Sequence, residues 1–288
     1  MDAATLAAPT STLGGRLGAL QLPGRAGPGG RSPFDVRPPE PVPPASGPVV
    51  FARYAYGPNR LGYCGPDAAE ELFSQAAGPR EDGALRSLAR GFEGAWPYLE
   101  LIARSNGLAD PLDRRVVEAY WLGGPLVGGV SPAALAASIE GRFRARLRPS
   151  EWRWLAEAPA DGARPVHAFH VFDVFPRVGL LRGEQVAGVL QVMDSCRIRW
   201  GRVLERDGDW LVVAAVPLEM VAGRLRLAPA RVERIRGWRD GVGFTAGVGP
   251  GDVVSIHWDW ACDRLDEDRL ASLVASTRRA LRIANRRI

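Results

Sequence analysis

The hydrophobic period of this chain changes once, near its middle, and that change constrains the fold more than any single motif. From about Val49 to Pro159 the pattern is helical. Leu85, Leu88, Phe92, Trp96, Leu99 and Ala103 recur at steps of three and four, which places them on one face of a long helix. Pro97 lies inside this run and predicts a kink. Asp110-Pro111 and Ser131-Pro132 each put a capping side chain before a proline suited to a first helical turn. The first of these helices is expected to end at Gly123-Gly124-Pro125, and the second carries Leu135, Ile139, Phe143 and Leu147 on one face. A further helix is expected from Ser150 to about Ala158.

Past this point the period shortens. Val166–Leu181 is rich in β-branched and aromatic residues and reads as a strand or as a connector. Short β-like runs follow at Val186–Val192, Ile198–Leu204, Leu211–Val216, Arg224–Leu227, Arg231–Ile235 and Val253–His257, with Asp207-Gly208 offering a hairpin turn. A last helix is capped by Asp266, favoured at its positive end by Glu267 and Asp268, and buries Leu270, Leu273, Thr277, Leu281 and Ala284. The expected class is α+β: an N-terminal helical domain, then a small OB-like β-barrel with a C-terminal helix. The boundaries read as a disordered Pro/Gly-rich tail at 1–48, a helical domain at 49–160, a connector or strand at 161–182, and the barrel with its helix at 183–288. The tail holds 10 of the 24 prolines and a single aromatic, Phe34, too little apolar surface to offset chain entropy.

Composition excludes several chemistries. All 37 basic residues are Arg, so no Schiff-base lysine and no Walker-type phosphate lysine exists. The net charge of +5 is spread among interleaved acids, which fits a GC-rich coding habit better than a nucleic-acid surface. No run of eighteen apolar residues is present, and the N-terminus lacks an apolar signal region, so neither a membrane span nor export is expected. Three cysteines at wide spacing make no disulfide framework. A reducing cytoplasm is the expected location.

The three Cys and three His are the groups able to hold a soft metal or act as nucleophiles. Cys64, in GYCGP, precedes a helix expected near Pro66, where a thiol is either activated by the helix end or an inert part of the core. His167 and His170 form an HxxH pair, which chelates on a helix but points to opposite faces on the strand expected here. Cys262 lies five residues after His257, a spacing that suits no standard zinc pattern. Asp194, Asp252 and Asp259 are candidates to orient His257, with turn formation as the ordinary role of such residues. No convincing catalytic set is visible, so an enzyme is not the favoured expectation.

The sharpest pattern is CRIRWGRVLERDGD, opened by Cys196, followed by PGDVVSIHWDWACDRLDEDRLASL, which contains His257. Over roughly residues 190–280 this resembles the small hydrogenase-assembly chaperones of the HypC/HupF type. The matching positions are Cys196, Gly201, Arg202 and Val203, then Gly251, Asp252, Val254, His257 and Ala261, and finally Leu265-Asp266-Glu267. Cys196 is internal where the family has a terminal cysteine, Trp200 replaces a proline, Arg199 an aliphatic residue, and Asp259 a glycine. RIRWGRV and HWDWACDRL are also similar to an actinobacterial family of uncharacterised proteins associated with hydrogenase gene clusters. The resemblance implies a scaffold that holds iron with cyanide and carbon monoxide ligands through Cys196, with His257 beside it, and hands it to a hydrogenase large-subunit precursor or another maturation protein.

Two other classes stay open. One is a nucleic-acid-binding OB-like module in which Trp200, Trp210, Trp238, Trp258 and Trp260 stack bases. The other is a metal-dependent enzyme using Cys64, His167, His170 and Cys262, which requires those residues to converge.

Overall fold

Pro48 supplies the pre-set φ of a first helical turn, and the chain enters a helix there. The computed structural model describes residues 45–78, 83–178 and 186–286, all within one compact unit. The tail expected at 1–48 lies outside the described residues except for its last four, where a helix has already begun at Gly47.

Helix α1 (Gly47–Arg60) is buried along nearly its whole length. Around it stand α2 (Ala69–Ala77), α3 (Gly83–Arg90), α4 (Trp96–Ser105), α5 (Arg114–Leu122), α6 (Pro125–Gly128), α7 (Pro132–Phe143) and α8 (Pro149–Glu157). Two expectations shift here. The long helix with a kink at Pro97 is two helices, α3 and α4, broken over residues 91–95. Gly91 and Gly94 weaken the helix there, and Pro97 is accepted in the first turn of α4. The helix expected to start after Asp110 starts three residues later, because Asp113 accepts from the Arg115 N–H and caps it, while Asp110 accepts from the Leu112 N–H in the preceding turn. Ser131 caps α7 as expected, and Leu135, Ile139, Phe143 and Leu147 are buried.

The segment expected as strand is helical. It runs through α9 (His167–Phe169), one π-helical stretch at His170–Val174, and α10 (Phe175–Val178); residues 179–181 lie outside the described ones. The run expected as a strand at Val186–Val192 is the body of α11 (Val186–Cys196). In both, a continuous apolar run satisfies a buried helix as well as a buried strand, so the apolar pattern does not separate the two.

The strands are β1 (Arg199–Asp207), β2 (Trp210–Ala215), β3 (Leu218–Val221), β4 (Arg224–Leu227), β5 (Arg231–Arg236), β6 (Trp238–Arg239), β7 (Val242–Gly243), β8 (Val253–His257) and β9 (Trp260–Leu265). Five of them close on themselves in the order β1-β2-β5-β9-β8, with β8 returning to β1. All neighbours are antiparallel except β5 and β9, which meet in parallel at Arg236 and Trp260. Gly208, at φ 58°, takes the first central position of the two-residue turn between β1 and β2. The interior is filled by residues such as Val203, Leu211, Val213, Ile235, Val254 and Ile256. Gly201 suits this interior, since a Cβ there would stand 3.1–3.3 Å from Ile256, Val213 and Ala215, a tight fit that would press on all three side chains. Helix α12 (Glu267–Ala284), capped by Asp266, buries the face expected and packs on α5, α9 and β9. α1 also packs on β8 and β9, so the helical half reaches the end of the barrel where His257 stands.

Candidate metal centre

The position of His257 is set by a proline in another element. Pro58, inside α1, has no N–H to give to the carbonyl four residues back, which belongs to Tyr54. That carbonyl instead accepts from His257 Nδ1–H at 2.6 Å. Gly57 permits the approach, because a Cβ there would lie 2.6 Å from the His257 carbonyl oxygen. With the proton fixed on Nδ1, Nε2 carries the lone pair, and this buried nitrogen makes no well-formed hydrogen bond among the described residues, although the Cys196 carbonyl is near enough to act on the ring.

Cys196 arrives from the other side as the last residue of α11. The adjoining β8–β9 turn is tied to it: Trp258 N–H donates to the Ser195 carbonyl at 2.8 Å, and Arg199 Nη2 donates to the Trp258 carbonyl at 2.7 Å. Trp258 has φ 58°, a left-handed conformation that costs a non-glycine residue about 1–2 kcal/mol. Its ring stacks on Tyr63 at 4.0 Å between centroids. His167, at the start of α9, donates from Nε2–H to the Cys196 carbonyl at 2.7 Å, and its Nδ1 accepts from the Tyr120 hydroxyl at 3.2 Å.

These three residues form one cluster. One ligating atom from each of His167, Cys196 and His257 lies within 4.8 Å of the others. The two imidazoles meet edge to face, 5.0 Å apart. The cluster opens on a cavity of about 80 Å³, lined also by Tyr63, Cys64, Phe92, Trp121, His170 and Trp258. That is room for two or three water-sized groups.

Burial keeps the donors neutral in the absence of a cation. It lowers His167 to about 4, against a small opposing effect of the Cys196 carbonyl. Burial also holds His257 well below the usual histidine range, helped by His167 and opposed by the Tyr54 and Cys196 carbonyls. His170 is lowered to about 3 by burial, then by His167 and Arg142. Burial drives the Cys196 thiol above its ordinary range, with Cys64 adding to the rise and the Trp258 indole opposing it. His257 offers a lone pair on Nε2 as it stands, whereas His167 must first give up its hydrogen bond from the Tyr120 hydroxyl to free Nδ1, and a thiol must release its proton to the incoming metal.

The HxxH pair, expected to point to opposite faces of a strand, sits on a helical segment, and both rings line the cavity. His170 is half-buried, its Nδ1 lies 3.4 Å from the Tyr98 hydroxyl, and it stands outside the three-residue cluster. Cys64 is not at a helix start, since α2 begins five residues later. It sits in a loop, exposed as a residue, lines the cavity outside the three-residue cluster, and its thiol is pushed up to about 12 by burial. Cys262 is buried in β9, donates to the Trp260 carbonyl and does not line the cavity. Asp259 pairs with Arg60 at 2.5 Å. Asp194 pairs with the fully buried Arg197 and accepts from Leu218 N–H, while Asp252 pairs with Arg264. None of the three carboxylates orients His257. Trp200, Trp238 and Trp260 are buried in the β half, so they offer no face to a base.

Fold and site together define an α+β protein whose helical half and closed β-sheet bring two histidines and a cysteine to one buried point. The chain belongs to the family described as a family of unknown function, DUF6390, whose model matches residues 43–288. Neither the curated proteins nor the solved structures contain a match. Among the described residues no helix is long and apolar enough to cross a membrane.

Proposed function

We propose that this protein is an accessory or chaperone of nickel-iron hydrogenase maturation, acting in the cytoplasm. It holds an iron with cyanide and carbon monoxide ligands at Cys196 and His257 and docks a hydrogenase large-subunit precursor or another maturation protein. The observation that carries this reading is His257, buried with no hydrogen bond on Nε2 and clustered with Cys196. A thiolate is a strong donor to iron, and an imidazole fixed through its other nitrogen is an oriented second ligand. Further support comes from the order of parts. Cys196 stands just before the first barrel strand and His257 ends the fourth in sequence, within a five-stranded arrangement that has the Greek-key character of an OB-like barrel. A small, mainly apolar cavity suits compact ligands on the metal.

The test is hydrogenase activity in the native host carrying Cys196→Ala or His257→Ala. Loss of mature hydrogenase in both, with the variant proteins present and folded, supports the proposal. Normal maturation in both refutes it. A second reading, a metal-dependent enzyme, is favoured by one observation: Cys64, His167 and His170 share the cavity. It expects turnover of a small substrate by the metal-loaded protein and no maturation defect.

A further inference from the structure

We infer that a bare divalent cation at this site is held by four donors, with Cys64 completing a His167, Cys196, His257 and Cys64 set. This rests on the reading of the cavity as a metal site and adds a ligand that the chaperone resemblance does not supply. The first ground is charge. A divalent ion bound by Cys196 alone leaves one positive charge buried, and an uncompensated buried charge is costly. Among the described residues lining the cavity there is no Asp or Glu, so a second thiolate is the group that brings the centre to neutrality.

The second ground is placement. Asn59 Nδ2 donates to the Cys64 carbonyl at 2.8 Å and to the Pro66 carbonyl at 2.6 Å, which holds the loop from both sides of the cysteine. Gly65, at φ 82°, lies so close to Phe92 that a Cβ would stand 2.4 Å from the ring. The loop is therefore packed against Phe92, and Cys64 lines the same cavity as His257 while standing outside the three-residue cluster. Donors on one tetrahedral ion stand roughly 3.3–3.8 Å apart, given bonds of about 2.0–2.3 Å. The three clustered donors, all within 4.8 Å of one another, need to close by at most roughly 1–1.5 Å, and Cys64 must move in from the cavity wall to join them. An iron that brings two anionic ligands of its own already carries one net negative charge with Cys196 alone, so a second thiolate would add buried negative charge, and the set distinguishes a bare ion from a loaded one.

The experiment uses cobalt(II) alone, added anaerobically to the full-length protein. X-ray absorption at the cobalt edge is expected to show two sulfur and two nitrogen neighbours, and the thiolate-to-cobalt absorption is expected to halve in Cys64→Ser. A single sulfur in the wild type, or an unchanged absorption in Cys64→Ser, overturns this inference while leaving Cys196 and His257 as ligands. Cobalt that binds without any sulfur, or does not bind, overturns the metal site itself. The sulfur count is read on the unmodified protein, so it stands whether or not the variant folds.

Discussion

Three histidines held neutral by burial make the metal-free protein acid-labile in a window where carboxylates are silent. The unfolded chain takes up a proton on each imidazole near pH 6.5, whereas in the folded protein His167 stays neutral to about 4, His170 to about 3, and His257 well below its usual range. Folded pKa values below the unfolded ones mean, by linkage, that stability is fully present above pH 6.5 and is lost as pH falls toward the folded values. Each imidazole contributes a loss of about 1.4 kcal/mol per pH unit once the unfolded form is protonated. Between pH 6.5 and 5 that integrates to roughly 1–2 kcal/mol for each of His167 and His170, with His257 acting in the same direction, for a total of several kcal/mol. This is comparable to the whole stability of many domains. Urea unfolding of chelator-treated protein at half-unit steps from pH 8 to 5 measures it. His167→Gln should remove about a third of the slope. A free energy that changes by less than about 1 kcal/mol from pH 6.5 to 5 refutes the claim that these rings are buried and neutral.

Other perturbations separate positioning from packing. Gly57→Ala places a Cβ against the His257 carbonyl and should cost about 1–3 kcal/mol by overpacking, with cobalt affinity reduced as His257 is displaced. Tyr54→Phe removes the hydroxyl contact with Ser255 at 2.9 Å but leaves the Tyr54 carbonyl in place, so stability should fall by about 1 kcal/mol with cobalt affinity unchanged. Arg197→Met strands Asp194 without its partner and should cost about 3–5 kcal/mol in urea unfolding, partly recovered when Asp194 is also replaced by Asn. Cobalt at a hundred times its dissociation constant should stabilise the wild type by about 2.7 kcal/mol and leave His257→Ala unchanged at the same concentration.

Much of the fold is readable in the sequence because local chemistry specifies it. The Ser131 and Asp266 caps, the strands Arg224–Leu227 and Val253–His257, and the buried face of α12 stand where the residues place them. The region around His167 is not readable, because VHAFHVFDVF is mainly apolar and buried with no clear polar face, and its period does not separate a π-helical turn from a strand. The site is readable in part. Cys196 and His257 stand out by order and type, but the return of His167 to the same point, and of Cys64 to the same cavity, depends on tertiary contacts across the chain. A further signal lies in Gly57-Pro58: inside a helix this pair leaves the Tyr54 carbonyl unpaired, and an unpaired buried carbonyl calls for a donor from elsewhere.

That Cys196 and His257 share an iron carrying diatomic ligands is tested most directly by infrared spectroscopy of the protein purified anaerobically from its native host. Cyanide and carbon monoxide stretching bands are expected in the wild type and absent from Cys196→Ala. A wild-type spectrum without such bands, from cells that are maturing hydrogenase, would contradict the proposal.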